Sequence, residues 1–427
     1  MKVLIMTLGT RGDVQPFVAL GRALLAAGHE TVLCGPNQFE SFVATAGVPF
    51  AGVDDGPLRL LESSNAGAVI QGGLQARMQQ MQAMPPMFTQ LLTDCWQIAT
   101  QGAGVGADVV VHNGQIIAGQ HIGEALGVPT VLALPVPVYV PTAEFSWPGV
   151  PLPEWWPHRL NRASFAGMGL PALMFARVVD TWRRDVAGLP RRKGRHDPTR
   201  AADGSPAPVL HAISPTVLPR PSDWPPSATM TGYWFLPSDN DLPAEIENFL
   251  IGGPPPVFAG FGSMTGLDPE GSATAVVEAA RRTGSRLVLA PGWGGLSADA
   301  ATAAANRVGV DLCIAEGVDY RLLFPRMSVV VHHGGAGTAG AAFAAGKPQV
   351  ICPYIADQPF WARIARRLEV APGSLPQRQL TAKTLAERLL AAQTPAVART
   401  ASTIAARIAC EDGLAVAVET IRHLARA

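Results

Sequence analysis

Short apolar, β-branched runs alternate with helical patterns in two separate series along the chain. In the first, "VLIMTL", "TVLCG", "DVVVHN" and "TVLALPVPVYV" read as buried strands. The segments "FVALGRALLAAG" and "IAGQHIGEALG" between them read as helices, closing on Gly28 and Gly127, the usual helix stop. In the second, "PVFAGFG", "RLVLAPG", "LCIAEG", "VVVHH" and "PQVICPY" are separated by Ala-rich helical segments. Apolar strands alternating with helices imply parallel sheets covered on both faces. Two such series predict an α/β fold of two doubly wound, Rossmann-like domains facing each other across a cleft.

Residues 214–243, "SPTVLPRPSDWPPSATMTGYWFLPSDNDLP", carry too much proline for a central strand or helix interior. The expected division is therefore a domain over 1–215, a linker over 216–238 and a second domain over 239–408. The end, 409–427, contains an amphipathic helix expected to pack back toward the first domain. A ligand crevice is expected between the domains, at the carboxyl ends of the strands.

Composition narrows the class. Hydrophobic residues make up 48% of the chain and charged ones 15%, which suits large cores and excludes disorder. A formal net charge of +0 gives no bulk pull toward nucleic acid or anionic membrane. The cysteines (Cys34, Cys95, Cys313, Cys352, Cys410) stand singly, which suits reduced thiols. The first apolar run is too short for a signal peptide, and none approaches a bilayer span. A soluble cytoplasmic protein is expected, with at most peripheral membrane contact and no nucleic-acid partner.

The strongest chemical signal is "VVVHHGGAGTAGAAFAAGKP", residues 329–348. A buried strand runs into His332, His333 and glycines, then into an Ala-rich helix. Glycines let backbone N–H groups approach an anion, the helix N-terminus adds partial positive charge, and a histidine at the strand end can donate to phosphate. Neither GxGxxG nor GxxxxGK[ST] fits. The bland alternative is a turn needing small residues for close packing. In "ICPYIADQPFWARIARRL", Asp357 and Gln358 offer an acceptor and a donor suited to sugar hydroxyls. Asp357 would also serve as an N-cap, with Pro359 in the first turn. Ser263 in "FAGFGSMTG" is a turn residue or a second phosphate contact. The "DND" at 239–241 reads as a solvated turn rather than a metal motif.

"HHGGAGT", followed by "GKPQVICPYIADQPFWA" and preceded by "FGSM", resembles the C-terminal half of GT-B nucleotide-sugar glycosyltransferases. "GTRGDVQP" near the start resembles the N-terminal signature of the branch holding sterol glucosyltransferases and actinomycete glycopeptide-antibiotic glycosyltransferases. The resemblance implies that His332, Gly334, Gly335, Gly337 and Thr338 bind the donor diphosphate with help from Ser263. It implies that backbone around Gly317 and Val318 holds the base, and that Asp357 and Gln358 grip the sugar. It implies inversion, no metal and no cofactor beyond the co-substrate, with UDP-glucose favoured and a TDP-sugar as the alternative. The partners would be that nucleotide sugar and an apolar small-molecule acceptor. A nucleotide-sugar epimerase or a non-catalytic partner protein on the same fold are the competing readings.

Asp13 matches the general base of this branch. A carboxylate can take the acceptor's proton late in the transition state, although its ordinary pKa is about 4. Alternatively it caps a helix beginning near Val14, with Pro16 in the first turn. His112, which also follows an apolar strand, is the second candidate base. Arg11 and Gly12 would line the crevice floor, Gly12 permitting a tight turn. Met78, Met81, Met84 and Met87 are three apart and suit either a greasy acceptor or a core, with Pro85 and Pro86 expected to end or kink their helix. Trp147 stands in a proline-rich loop that would line the acceptor side. "RRKGRHDPTR", 191–200, reads as a solvated surface segment.

Overall fold

A computed structural model describes residues 1–426 except 55, 57–73, 150–151, 153–154, 193–195, 239–240, 263–267 and 293–294. For 74–84, 170–172 and 174 it describes the backbone only.

Seven parallel strands form the first sheet: β1 (Lys2–Met6), β2 (Glu30–Pro36), β3 (Phe50–Val53), β4 (Val109–His112), β5 (Thr130–Leu134), β6 (Val209–His211) and β7 (Ala228–Met230). Their order is β3-β2-β1-β4-β5-β6-β7. Five more form the second: β8 (Val257–Gly260), β9 (Leu287–Ala290), β10 (Leu312–Ile314), β11 (Val329–His332) and β12 (Gln349–Ile351), in the order β10-β9-β8-β11-β12. Both are doubly wound. The order reverses between β1 and β4 in one sheet and between β8 and β11 in the other. Crossovers leave each pair in opposite directions, so a crevice opens past their carboxyl ends.

Alternation along the strands builds a core on each face. Val3 and Ile5 of β1 join one cluster, with Phe17, Leu20 and Leu24 of the Arg11–Ala26 helix. Leu4 and Met6 join the other, with Leu91, Cys95 and Ile122. In the second domain Val257 and Ala259 face one cluster and Phe258 the other. The Gly413–Leu424 helix inserts Ala417 and Ile421 into the first domain's core beside Phe17 and Val18. The chain therefore crosses between domains twice, and the crossings meet where Gly232 packs against the backbone of Gly413.

Two local expectations change. The first sheet continues to β7, inside the proline-rich stretch assigned to a linker. "ATM" contains no proline and sits at the sheet edge, so no ladder donor is lost. The charge run at 191–200 is partly turned inward: Arg192 and His196 are buried, against Glu124 and Asp180. Arg183, 0% exposed, anchors the same cluster through a two-pronged bond to Glu124 at 2.8 and 2.9 Å and one to His121 at 2.8 Å.

Candidate active site in the interdomain crevice

The first domain brings the loops after β1 and β4 together. The Arg11–Ala26 helix starts at Arg11 with Thr10 as N-cap, three residues before the start expected near Val14. Asp13 is thus the third helical residue, and Pro16 lies in the second turn. Its Oδ2 accepts from the Thr10 backbone N–H at 2.8 Å and the Thr10 hydroxyl at 3.0 Å, one half of a capping box. Its Oδ1 accepts from Gln115 Nε2 at 3.1 Å. Burial raises the Asp13 pKa, while the bonds from Thr10 and Gln115 oppose the rise. Arg11 is exposed, its guanidinium 4.8 Å above the Phe42 ring. Gly12 sits in the first helical turn with open space around it. The turn that requires glycine is at Gly9, where φ is +132°, rather than at Gly12.

His112 does not reach the crevice. It continues the face of Val110, toward the Ala118–Leu126 helix, where it packs against Gly119. It is 2% exposed, and its Nδ1–H donates to the Asn113 carbonyl at 3.0 Å. Burial lowers its pKa to about 4. Trp147 lies in the loop after β5, half-buried against Gly149 and Gly167, with its backbone N–H bonded to Ser164 Oγ at 2.8 Å. Its neighbour Phe145 reaches the other domain, 5.3 Å from Phe360, a contact no local pattern announced. The Leu74–Thr100 helix carries Met78 and Met81, whose side chains lie outside the described residues, and Pro85 and Pro86 stand inside it rather than ending it.

In the second domain, β11 ends at His332 and the Ala336–Ala344 helix begins after Gly335. His332 is fully buried. Its Nδ1 accepts from the Gly334 N–H at 3.1 Å, so its proton sits on Nε2 and is donated to Gln349 Oε1 at 3.0 Å. Burial lowers its pKa to about 3. Both ring nitrogens are thus engaged inside the domain. The next residue, His333, is 9% exposed, and its ring lies between Gly262 and Gly335. Its Nδ1 has no hydrogen-bond partner among the described residues, and burial lowers its pKa to about 4. Gly334, at φ +96°, turns the chain into that helix, where the first-turn N–H groups of Gly337 and Thr338 have no intrahelical partner. Ser263 lies outside the described residues.

Asp357 precedes the Gln358–Arg367 helix but does not cap it with its side chain. Its Oδ2 accepts instead from the Trp361 indole N–H at 2.8 Å. Burial raises its pKa to about 6, opposed by the Trp361 bond and one from the Ala336 N–H, and reinforced by the charge of Asp13 across the crevice. Ala356, immediately before it, holds φ +55°, a strained backbone for a residue with a β-carbon. Gln358 Oε1 accepts from the N–H groups of Tyr354 at 2.7 Å and Ile355 at 3.2 Å. Gln358 therefore orders the strand-to-helix turn and keeps its amide nitrogen for other partners. Gly317, at φ +66°, is exposed in the loop after β10, and Val318 packs partly inward. Tyr320, stacked 4.6 Å from Phe324, is close enough to Arg11 for the cation to act on its phenol. Among the described residues, no three His, Cys, Asp or Glu side chains group as metal ligands, and no helix is long and apolar enough to cross a membrane.

A carboxylate on one doubly wound domain, opposite a glycine-rich helix N-terminus on another, defines a two-domain α/β enzyme of the GT-B type. Residues 3–143 match the glycosyltransferase family 28 N-terminal domain, and 300–420 match the erythromycin biosynthesis protein CIII-like C-terminal domain. The chain is 34% identical to the O-mycaminosyltylonolide 6-deoxyallosyltransferase of Streptomyces fradiae, over 97% of this chain and 95% of that one. It is 31% identical to a sterol 3-beta-glucosyltransferase of Arabidopsis thaliana, over 99% of this chain and 66% of that one. Among solved structures, the glycotransferase of kitacinnamycin superposes with a TM-score of 0.69 at 18% identity, covering 99% and 98% of the two chains. VinC in complex with DTDP superposes with a TM-score of 0.64 at 19% identity, covering all of both chains. The chain belongs to this glycosyltransferase family, which holds the deoxyallosyltransferase and the sterol glucosyltransferase alike.

Proposed function

We propose that the protein is an inverting, metal-independent glycosyltransferase that moves a hexose from a nucleoside diphosphate to a hydroxyl of an apolar polycyclic acceptor. The observation that carries this is the opposition of Asp13 to Asp357 and the Ala336–Ala344 helix N-terminus across one crevice. The donor diphosphate lies on the first-turn N–H groups, with the helix dipole and a hydrogen bond from His333 offsetting its charge. Asp357 and the Gln358 amide nitrogen hold sugar hydroxyls, and the loop at Gly317 and Val318 receives the base. Asp13 Oδ1 takes the acceptor's proton as the new oxygen–C1 bond forms. The bond from C1 to the phosphate oxygen breaks on the opposite face, and its electron pair leaves on the diphosphate. Attack and departure on opposite faces give inversion. Phe145, Trp147 and the Leu74–Thr100 helix flank the acceptor side.

Both sterol and macrolide acceptors fit the relatives' names. The sterol relatives favour UDP-glucose, and the superposition on VinC with DTDP keeps a TDP-sugar as the alternative. The test is incubation with UDP-glucose and TDP-glucose against sterols and macrolide aglycones, reading glycoside by mass and anomeric configuration by NMR. Release of an epimerised sugar without any glycoside would refute the proposal.

A further inference from the structure

Gln115 contacts Asp13 in a way the helix does not need. Thr10 supplies both bonds to Oδ2, at 2.8 and 3.0 Å, and those complete the cap. Oδ1 plays no part in it. Its hydrogen bond comes from Gln115 Nε2, 3.1 Å away and 102 residues further along the chain. A carboxylate oxygen has two lone pairs. Both on Oδ2 are taken, and one remains on Oδ1.

The loop that carries Gln115 is fastened for this approach. Asn113, 3% exposed, donates from Nδ2 to Thr7 Oγ1 at 3.0 Å and to the Leu8 carbonyl at 2.7 Å. Its Oδ1 accepts from the Ile116 N–H at 3.0 Å. The Tyr139 hydroxyl donates to the Gly114 carbonyl at 2.9 Å. Gly9 lies beneath both side chains, and a β-carbon there would collide with the Gln115 amide oxygen and the Asp13 carboxylate. These contacts tie the β1 and β4 loops together at the point where the strand order reverses.

We propose that Gln115 is a positioning residue for the general base: it fixes the rotation of the Asp13 carboxylate so that the free lone pair of Oδ1 stays aimed at the acceptor hydroxyl. This inference rests on the reading of Asp13 as base. A neutral amide suits the task. It supports the carboxylate's charge without neutralising it, whereas a lysine would drain its basicity and a second carboxylate would hold the proton in place. Among the described residues, Asp357 across the crevice feels the charge of Asp13, Tyr320 feels Arg11 of the same helix, and the Tyr139 phenol lies against the loop that carries Gln115.

The test uses the full chain with Gln115→Met, close in shape but without a donor, and Gln115→Glu. Gln115 is exposed, so both variants should melt with the parent. Gln115→Met should lower kcat about tenfold, the scale of one hydrogen bond to a charged group. The donor KM should not change, and the acidic limb of the kcat–pH profile should move to higher pH. Gln115→Glu should move that limb further the same way. In an Asp13→Asn background, Gln115→Met should have no further effect. Parental kcat and pH limb in Gln115→Met, beside lost turnover in Asp13→Asn, would overturn the positioning role and leave Asp13 as base. A change confined to the acceptor KM would make Gln115 a substrate contact and overturn it equally. Full turnover in Asp13→Asn would remove the base reading itself, and the Gln115 inference with it.

Discussion

Replacing His332 and His333 separately by alanine should split one motif into two unlike roles. The His333 ring lies between Gly262 and Gly335 and is 9% exposed, with its Nδ1 buried and unpartnered among the described residues. Burial lowers its pKa to about 4, so at neutral pH it is an uncharged donor to a charged oxygen. A bond of that kind contributes about 1.5–3 kcal/mol. His333→Ala should therefore lower kcat/KM for the donor by roughly tenfold to a hundredfold. Its melting temperature should fall less than that of His332→Ala, because among the described residues its Nδ1 has no hydrogen-bond partner to strand. His332→Ala removes a fully buried ring and strands the Gly334 N–H and Gln349 Oε1. The cavity and the stranded groups together should destabilise the fold by about 2–5 kcal/mol. The assay is donor saturation kinetics for each variant beside thermal denaturation. A His332→Ala protein that melts with the parent yet loses donor use more than His333→Ala does would refute the reasoning.

Asp13→Asn should lower kcat by about 10²–10⁴-fold with the nucleotide KM near the parent's. Close to full turnover would reduce Asp13 to its bond with Thr10. Asp357→Asn should raise donor-free stability at pH 7 by about 1–3 kcal/mol, since one pKa unit is about 1.4 kcal/mol. The folded pKa of about 6 lies above the ordinary value of 3.8, so the folded state binds more protons between those values. Stability conferred by the protonated form is complete below that window and is lost as pH rises through it. The melting difference between parent and variant should therefore vanish near pH 4, and a constant difference would count against a raised pKa. Activity should survive EDTA, because N–H groups and a helix dipole face the diphosphate site. Loss on chelation with recovery in magnesium or manganese would overturn the metal-free mechanism.

Adjacent histidines at a strand end show where sequence reading stops. The run "VVVHHGG" announces a strand, a tight turn and an anion-binding helix. It does not announce where the pleat ends. Val330 and His332 share one face of β11, so His332 points inward, and a one-residue step moves the next ring to lie between Gly262 and Gly335. The strand and turn were legible, but which of the two rings is bonded inside the domain was not. Asp13 could be read from its own neighbours, whereas Gln115 could not. Its partnership depends on β1 lying beside β4, which no local pattern contains. The inward turn of Arg192 and His196 was hidden for a similar reason. A charge run looks solvated until buried Arg183, Glu124 and His121 appear beneath it. The strand at 228–230 was masked by prolines that flank it without entering it.

The double crossing of the chain bears on recombination between relatives. A first domain exchanged by a single cut near 230 would leave the recipient's own Gly413–Leu424 helix pressed against a foreign Arg11–Ala26 helix. Ala417 and Ile421 would then meet a donor surface they did not evolve with, at the positions of Phe17 and Val18. The transferable unit is therefore discontinuous. It comprises the first seven strands together with the final helix, joined at two seams that meet at Gly232 and Gly413. Hybrids that respect both seams inherit a complete core, and hybrids cut once inherit a mismatched one.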